Sequence, residues 1–372
     1  MKHKIKLLYI TNQICGSGGL ERVLSIKASY LAEKLNYEVH IVTLNQGNLP
    51  VFYEFSKLLK FHDIKATGSK FTYFMAYTNG LKKAVQTIKP DIISVCDDGL
   101  KGLFVPRFIN KPCPMVYERH VSKNIEIKSD KQTWLQKLKL KIVFTLMHLG
   151  ALSYNKFVVL TNGNLKEWPL QNVMVIANPL SFYPSKISTL KNKKVIAVGK
   201  HCFQKGYDRL LQSWKQINTK HPDWTLEIYG TIDPKEGLLE LAKKLNIINS
   251  VSFFPPEKNI GEKYQEASIY TMASRYEGFG MVLTEAMAYG VPCVSYDCPF
   301  GPSDIINHEN DGFLVPNGDG IEFANKVISL IENENLRQTF GANARELVKR
   351  YLPEKIVPQW DNLFTQLINI ER

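Results

Sequence analysis

The sequence predicts an α/β protein built from two doubly wound parallel sheets. Its 372 residues are enough for two domains, since a domain takes roughly 100–200 residues. In both halves, short apolar runs typical of buried strands alternate with segments of helical periodicity. The alternation stops in the polar, proline-containing stretch 181–194 and then restarts. The two halves are therefore expected to fold as separate domains.

We place a first domain at 1–180, a linker at 181–194, a second domain at 195–352 and a C-terminal helix at 353–372. The helix follows a proline break and is a candidate to cross back over the first domain. Ligands bind at the carboxyl ends of the strands in such sheets. We therefore expect the two domains to face each other across a ligand-binding cleft.

The elements of the first half begin with an apolar strand, KIKLLYIT, and a glycine turn, GSGGLER. A helix over VLSIKASYLAEKL and a second strand, YEVHIVTL, complete a βαβ unit. Later strands are predicted at 91–95, 114–118 and 156–161, and the stretch 173–180 ends this half.

The second half repeats this order after the linker. Strands are predicted at 194–200, 224–230, 250–255, 268–274, 292–297 and 312–316. Helices are predicted between them, among them DRLLQSWKQIN, GLLELAKKLN and LTEAMAYG. Strands that alternate with helices in this way form a parallel sheet.

The net charge of +12 favours polyanions, an anionic membrane surface or phosphorylated substrates as partners. The charge is concentrated in the segment 128–152, where Lys131, Lys137 and other lysines alternate with Trp134 and leucines. Such a segment either lies on an anionic bilayer or packs as a helix in the domain with its lysines solvated.

We expect a cytoplasmic protein. No window of about 18 apolar residues predicts a transmembrane helix, and the run LLYI is too short for a signal-peptide core. The six cysteines show no CxxC spacing, which is typical of a reduced protein. The segment 128–152 is a candidate for peripheral contact with the inner face of the plasma membrane.

Two loops of the first half are candidate parts of a binding site. A dinucleotide fingerprint would need a third glycine where Glu21 stands, which excludes this kind of hydride-transfer site. Gly18 and Gly19 before a helix N-terminus favour close approach of an anion, and an ordinary tight turn is the alternative. The strand 114–118 runs into Arg119 and His120, which we place at the cleft.

Two loops of the second half are the counterparts of these. Lys200 and Lys205 follow the strand 194–200 and suit a diphosphate, which needs positive charge when it becomes a leaving group. Glu277 follows the strand 268–274, with Arg275 as a further cleft candidate.

A GFG turn follows Glu277 and leads into a helix that carries Glu285. Glycines in the turn let a ligand approach the backbone, and the positive end of the helix offers N–H groups to an anion. The turn residues are Gly278, Phe279, Gly280 and Met281. No D-x-D sequence and no zinc-type His/Cys spacing occurs, so we expect neither a metal nor another cofactor.

These motifs resemble glycosyltransferase family 4, the retaining nucleotide-sugar transferases with the GT-B fold of two Rossmann-like domains. The most specific element is SRYEGFGMVLTEAMAYGVP, in which seven residues separate Glu277 from Glu285. GGLER, VGKHCFQKGYDRLL and GFLVP resemble family blocks in the same order. CPFGPSDII resembles enzymes that build bacterial lipopolysaccharide, capsule or lipid-linked oligosaccharides.

The resemblance implies an acceptor-binding first domain and a second domain that binds the nucleotide-sugar. Glu285 would bind the ribose hydroxyls, and Glu277 the hydroxyls of the donor sugar. Lys205, Lys200 and the amides at 278–281 would hold the diphosphate and the sugar. Gly18 and Gly19 would lie above the donor, and His120 near its sugar; Glu277, Lys205 and His120 are the implied catalytic residues.

The implied reaction transfers a hexose or an N-acetylhexosamine from a nucleoside diphosphate sugar, with a UDP-sugar favoured, to a glycan or polyprenyl-diphosphate-linked acceptor. The sequences IYGTIDP and Pro255 depart from the family near the expected base pocket, so the nucleobase stays open. No nucleic-acid partner is implied. The alternatives are a two-carboxylate glycoside hydrolase, a nucleotide-sugar 2-epimerase of similar architecture and a non-catalytic glycan-binding relative.

Overall fold

The computed structural model of the chain describes residues 4–127 and 133–371. Its strands are β1 (Lys6–Thr11), β2 (Glu38–Leu44), β3 (Lys60–Ile64), β4 (Ile92–Cys96), β5 (Met115–Glu118), β6 (Lys156–Val159), β7 (Val173–Val175), β8 (Lys194–Val198), β9 (Thr225–Tyr229), β10 (Val251–Phe254), β11 (Ile269–Met272), β12 (Cys293–Asp297) and β13 (Gly312–Pro316). Its α-helices are α1 (Gly19–Lys34), α2 (Lys70–Ile88), α3 (Leu100–Leu103), α4 (Val105–Ile109), α5 (Trp134–Ala151), α6 (Asn164–Glu167), α7 (Tyr207–Lys220), α8 (Leu238–Lys244), α9 (Ile260–Glu266), α10 (Met281–Ala288), α11 (Pro302–Ile305), α12 (Gly320–Glu332), α13 (Glu334–Leu347) and α14 (Pro353–Glu371). Short 3₁₀ turns cover Lys123–Glu126, Phe203–Lys205, Pro234–Glu236 and Val348–Tyr351.

The described residues divide into two compact units. The first contains 4–123, 133–181 and 353–371, and the second contains 124–127 and 182–352. Helix α14 therefore belongs to the first unit, where it packs against α1. It begins at Pro353 and carries Pro358 inside it.

The first unit is a parallel sheet with helices on both faces. Its strand order is β3-β2-β1-β4-β5-β6-β7, and Leu8 of β1 lies opposite His40 and Ile93. Helices α2 to α5 cover the face that carries Leu8. Side chains alternate between faces along a strand, and on the other face Lys27 of α1 lies over the ring of Tyr9.

The second unit is a separate parallel sheet with the order β10-β9-β8-β11-β12-β13. Buried residues of α7, α8, α12 and α13 form one core with the strands. In α7 the apolar residues recur at helical spacing, and Trp214 is buried with its Nε1–H donated to Ser250 over 3.1 Å. Within the predicted linker 181–194, residues 182–194 group with this unit, and Leu190 is buried.

None of the helices that the structure describes is long and apolar enough to cross a membrane. Helix α5 begins with a capping box, in which Thr133 and Gln136 bond each other's backbone N–H groups. Residues 128–132 of the charged segment, Lys131 among them, lie outside the described residues.

Candidate active site

The second sheet reverses its strand order between β8 and β11. Strand β8 pairs with β9 on one side and with β11 on the other, so the loops after β8 and β11 leave neighbouring strand ends in opposite directions. A doubly wound sheet binds its ligands at such a switch point. The two loops carry Lys200, Lys205 and Glu277, so the residues predicted for a phosphate and sugar site meet at the expected edge.

Two glycines hold Lys205 in place. Lys205 ends a 3₁₀ turn, and Gly206 follows it with a left-handed φ of 64°. A Cβ at Gly206 would lie 2.2 Å from the carbonyl oxygen of Ala273, so only glycine lets this turn rest on the end of β11. A Cβ at Gly199 would lie 3.0 Å from Cε of Lys205. The aliphatic part of the Lys205 side chain therefore packs directly against the backbone of Gly199, just after β8.

Lys205 and Glu277 form an ion pair in which the carboxylate is buried and the lysine is partly exposed. Nζ of Lys205 lies 2.7 Å from Oε1 of Glu277, and the hydroxyl of Ser274 donates to the same oxygen over 2.6 Å. Glu277 is 5% exposed, so water screens the pair weakly. Burial by itself lowers the pKa of the Lys205 ammonium, but the charge of Glu277 and its hydrogen bond raise this pKa overall. Lys205 is therefore a fixed positive charge at neutral pH.

Backbone contacts fix the loop that carries Glu277. Its N–H donates to the carbonyl of Pro299 over 2.8 Å, and its carbonyl accepts from the N–H of Phe300 over 3.1 Å. A Cβ at Gly301 would lie 2.0 Å from the carbonyl oxygen of Phe279. The CPFG stretch after β12 thus packs directly on the GFG turn and leaves it little freedom to move.

Helix α10 begins immediately after the GFG turn. Gly280 has a φ of 97° and precedes Met281, the first residue of the helix. The ring of Phe279 is buried edge-on against Tyr351, with ring centroids 5.4 Å apart. The N–H groups of a first helical turn have no partner within the helix. Gly278 and these residues therefore form a turn at the positive end of α10.

Glu285 lies on the second turn of α10. It is 2% exposed and accepts a hydrogen bond from the hydroxyl of Tyr264 over 3.2 Å. Glu277 instead contacts Lys205 and Ser274. The two glutamates therefore have different partners.

The two other basic residues predicted for this site have different surroundings. Lys200 is exposed just after β8. Arg275 forms two hydrogen bonds with the carboxylate of Asp208, over 2.9 and 2.7 Å, and donates to the carbonyl of Phe203 over 2.8 Å. Arg275 thus ties the loop after β11 to the turn that carries Lys205.

In the first unit, a side chain of α1 lies over the glycine turn. A Cβ at Gly16 would lie 2.3 Å from Oε1 of Glu21, and one at Gly18 would lie 2.6 Å from Oε2. The missing side chains therefore make room for this carboxylate, whose pKa is raised by burial. Gly19 is the first residue of α1. Close approach of a ligand is thus not the sole reason for these glycines.

His120 lies just beyond β5, beside a buried ion pair. Its Nε2 is 3.2 Å from Oε2 of Glu118, and this oxygen also contacts the ammonium of Lys27. The hydroxyl of Ser94 donates to Oε1 of Glu118 over 2.5 Å. Although burial by itself would raise the pKa of Glu118, Lys27 and His120 lower it to about 2. The carboxylate is therefore ionised.

Arg119, the neighbour of His120, holds backbone together. It is 2% exposed, and its guanidinium donates to the carbonyl oxygens of Asp98 and Val121 over 2.6 and 2.9 Å. These bonds join the loops that follow β4 and β5.

Ligand atoms of Cys96, Glu118 and His120 lie within 4.8 Å of one another, close enough to share a cation. The ammonium of Lys27 already contacts Glu118, and it supplies the positive charge that a metal would bring. This group is therefore a poor metal site.

Sequence reasoning missed several residues of these clusters: Glu21, Lys27, Glu118, Asp208, Tyr264 and Ser274. A signal existed for Lys27, because it occupies a position on the apolar face of α1 that Val23 and Leu31 share. A charged residue on a buried face needs a partner. The partners of Glu118, Asp208 and Tyr264 lie 91, 67 and 21 residues away in the chain, too far to be identified from a motif. Glu21 and Ser274 contact residues within five positions of themselves, but no motif marks a side chain that turns toward its own loop.

Comparisons with known proteins identify the family to which this chain belongs. Residues 184–347 match the family model described as Glycosyl transferases group 1. The amylovoran biosynthesis glycosyltransferase AmsD of Erwinia amylovora is 30% identical over 368 residues, which cover 96% of this chain and 99% of that protein. The chain belongs to the group 1 glycosyltransferases. This glycosyltransferase is thus an enzyme of the transferase class.

Two further relatives of this glycosyltransferase are bacterial. An uncharacterized glycosyltransferase of Haemophilus influenzae is 29% identical over 96% of this chain and 99% of its own length. The lipopolysaccharide 1,6-galactosyltransferase of Escherichia coli is 24% identical, over 89% of this chain and 90% of its own.

Solved structures share the fold of this glycosyltransferase. Sucrose-phosphate synthase of Thermosynechococcus elongatus has a TM-score of 0.83 at 18% identity, over 99% of this chain and 100% of that one. Alr3699/HepE of Anabaena, solved in complex with UDP and glucose, has a TM-score of 0.79 at 19% identity, over 98% and 100%. The predicted GT-B fold with two Rossmann-like parallel sheets is confirmed.

Proposed function

We propose that this glycosyltransferase is a retaining, family 4 enzyme that moves a hexose or an N-acetylhexosamine from a nucleoside diphosphate sugar. A UDP-sugar is the favoured donor, and the acceptor is a glycan or polyprenyl-diphosphate-linked glycan of a bacterial surface polysaccharide. The observation that carries the proposal is the partly buried ion pair of Lys205 and Glu277, 2.7 Å apart at a sheet switch point. Relatives named for amylovoran and lipopolysaccharide synthesis, and a structure solved with UDP, support the substrate classes.

In this proposal Lys205 supplies the positive charge that a departing diphosphate needs. An ammonium has three N–H bonds, and the ion pair with Glu277 uses one of them. The others can donate to phosphate oxygens, together with the N–H groups at the start of α10. Lys200, Gly18 and Gly19 are assigned to the same diphosphate. Because fixed positive charge and backbone dipoles stabilise the leaving group, no metal is required.

The remaining groups position the sugar and the nucleoside. Glu277 and His120 are assigned to the hydroxyls of the donor sugar, and Glu285 to those of the ribose. In the transfer step, the acceptor oxygen forms a bond to the anomeric carbon while the bond to the diphosphate oxygen breaks on the same face. The acceptor proton passes to the departing phosphate oxygen, so the protein supplies no general base.

A donor screen tests this function. The full chain is incubated with UDP-, GDP- and ADP-sugars, with and without a lipid-linked glycan acceptor, and both thermal stabilisation and nucleotide release are measured. We expect UDP-sugars to stabilise the protein most and UDP to be released only with the acceptor. Release without an acceptor would favour the 2-epimerase alternative or hydrolysis. Sugar binding without any release would favour a glycan-binding relative.

We also propose that α5 docks on the anionic inner face of the plasma membrane. The helix packs on its unit through Met147, Gly150 and Ala151, but its opposite side carries exposed apolar residues. They fall within an arc of about 120° at 100° per residue. Their exposed fractions are 71% for Trp134, 58% for Leu135, 50% for Leu138, 54% for Ile142, 39% for Leu146 and 45% for Leu149.

Exposed lysines lie on both sides of this arc. Lys137 and Lys141 border one edge, and Lys139 borders the other. An apolar stripe between basic residues is the pattern of a helix that lies in the headgroup region of an anionic bilayer. The alternative from sequence, a helix that buries its apolar residues in the domain, does not account for the exposed stripe.

Vesicle binding tests this surface. We expect co-sedimentation with phosphatidylglycerol vesicles at low salt and its loss at high salt, since salt screens the lysine charges. Leu138→Asn combined with Ile142→Asn should abolish binding. Leu239→Asn is the matched control, because Leu239 of the second unit is also 50% exposed. Absence of binding at low salt would disprove the proposal.

A further inference from the structure

Lys27 is a buried charge to which the transfer step above gives no role. It lies on the apolar face of α1, with a side chain that is 0% exposed and an Nζ atom 3.8 Å from the ring centroid of Trp360. Its carboxylate partner is Glu118, at the end of β5. Burying an ion pair costs so much desolvation free energy that stability alone is a weak reason to keep one. The pair therefore invites a functional explanation.

Glu118 connects Lys27 to His120. One carboxylate oxygen contacts Lys27 and lies 3.2 Å from Nε2 of His120, while the other accepts from Ser94. An ionised carboxylate can only accept hydrogen bonds. The ring nitrogen that faces it, Nε2, must therefore carry the hydrogen.

The other ring nitrogen of His120 is then an acceptor. In a neutral imidazole with its hydrogen on Nε2, the lone pair lies on Nδ1. This Nδ1 is buried and has no hydrogen-bond partner within 4–127 and 133–371. Leaving a buried acceptor unsatisfied costs free energy, and a hydroxyl group of a ligand would remove that cost.

We infer that Lys27 is a positioning residue for His120. Lys27 keeps the Glu118 carboxylate ionised, and this carboxylate keeps the hydrogen of the imidazole on Nε2, so that Nδ1 accepts a hydrogen bond from a hydroxyl group of the sugar substrate. The contact with a sugar rests on the proposed function. The tautomer of His120 and its dependence on Lys27 do not.

The tautomer can be observed directly. Long-range ¹H–¹⁵N correlation spectra of the histidine-labelled full chain, recorded at pH 8, distinguish protonated from unprotonated ring nitrogens. The signals of His120 are assigned by their loss in His120→Gln. We expect a protonated Nε2 and an unprotonated Nδ1 in the wild type. A hydrogen on Nδ1 would overturn the inference.

Two variants test the dependence on Lys27. In Lys27→Met, Glu118 loses its counter-charge, and burial then favours its protonated form. We expect the protonated carboxyl group to donate to Nε2 of His120, which moves the ring hydrogen to Nδ1. The double variant Lys27→Met/Glu118→Gln removes both buried charges. We expect it to fold even if Lys27→Met alone does not, because it leaves no unpaired buried charge. The amide of the introduced glutamine can both donate and accept hydrogen bonds, so we expect His120 to be a mixture of the Nε2–H and Nδ1–H tautomers in the double variant. A tautomer unchanged from the wild type in either variant would overturn the inference.

Activity measurements complete the test. We expect kcat/KM for the donor sugar to fall about tenfold in the double variant, as for one lost hydrogen bond to a substrate. Lys34→Met, which removes an exposed lysine of the same helix, should change neither the spectrum nor the activity. Because the spectra need no substrate, a wild type with the expected tautomer but no transferase activity would refute the proposed function and leave the positioning role intact.

Discussion

Lys205 and Glu277 lie 72 residues apart in the chain, and their side chains meet over 2.7 Å inside the second unit. We expect Lys205→Met to lower kcat about 100-fold or more, because a departing diphosphate loses a fixed positive charge. The substitution also leaves the buried carboxylate of Glu277 without its counter-charge, which lowers the free energy of unfolding by about 3–5 kcal/mol. Turnover and denaturant unfolding, measured side by side, separate the two effects.

The double variant Lys205→Met/Glu277→Gln removes both charges. It should recover much of the lost stability without recovering turnover. Lys215→Met, an exposed lysine of α7, is the control and should match the wild type. Wild-type turnover in Lys205→Met would refute the role of Lys205.

Gly206 and Gly237 offer a matched pair for testing the turn under Lys205. Their φ angles are 64° and 62°, so alanine costs similar backbone strain at either position. A Cβ would lie 2.2 Å from the carbonyl oxygen of Ala273 at Gly206, and nothing lies within 4 Å at Gly237. Gly206→Ala should therefore lower the free energy of unfolding by about 2 kcal/mol more than Gly237→Ala. Equal losses would show that the turn can shift freely.

Glu285 is predicted to recognise ribose. We expect the wild type to bind UDP about tenfold more tightly than 2′-deoxy-UDP, because a buried carboxylate that accepts a hydroxyl discriminates against its absence. In Glu285→Gln the two affinities should converge. Isothermal titration with both nucleotides measures the effect. A variant that keeps the full preference would assign ribose recognition to another group.

Metal removal should leave the reaction intact. The proposed charge at the leaving group comes from Lys205 and backbone N–H groups, so we expect the same initial rate with and without excess EDTA, within about a factor of two. The assay follows UDP release in chelated buffer. A loss of rate that Mg²⁺ or Mn²⁺ restores would show that the diphosphate needs a metal.

We expect Asp311 to make the free energy of unfolding depend on pH. It is fully buried, and its carboxylate accepts from the N–H of Asn307 over 2.9 Å. Burial raises its pKa from 3.8 to about 6. The unfolded chain therefore binds fewer protons between those pH values, and Asp311 makes the free energy of unfolding fall as pH rises from about 4 to 6.

Asp311→Asn should remove this cost. We expect the variant to be more stable than the wild type at pH 7, by at most about 3 kcal/mol, and nearly equal to it at pH 4. Urea unfolding at both pH values measures the difference. Asp319→Asn, at an exposed helix N-cap, is the control. A difference that does not vary with pH would contradict the prediction.

Most of the sheets could be predicted because their strands are buried apolar runs. Strand β3 was missed for a physical reason. It lies at the edge of its sheet and pairs with β2, and its sequence KFHDI has no apolar run, with Phe61 48% exposed.

The site divides in the same way. Strand ends and motif order sufficed to predict Lys205 and Glu277 at one edge of the second sheet. They could not predict that Arg275 would pair with Asp208, because 67 residues separate the two in the chain. The sequence motifs also could not predict that Glu21 lies over the glycines of its own turn, because a carboxylate in a first helical turn usually faces solvent or the helix end.

Because α14 comes last in the chain but belongs to the first unit, the first unit is synthesised first and completed last. The first unit closes one face with residues 353–371, which place Trp360 over Lys27. A ribosome produces these residues only after the whole of the second unit. The strands of the first sheet therefore emerge from the ribosome early, but one face of this sheet stays uncovered while 182–352 are synthesised. The second unit can fold as soon as its own residues have emerged. Nascent chains stalled before residue 353 should thus be the species that chaperones hold.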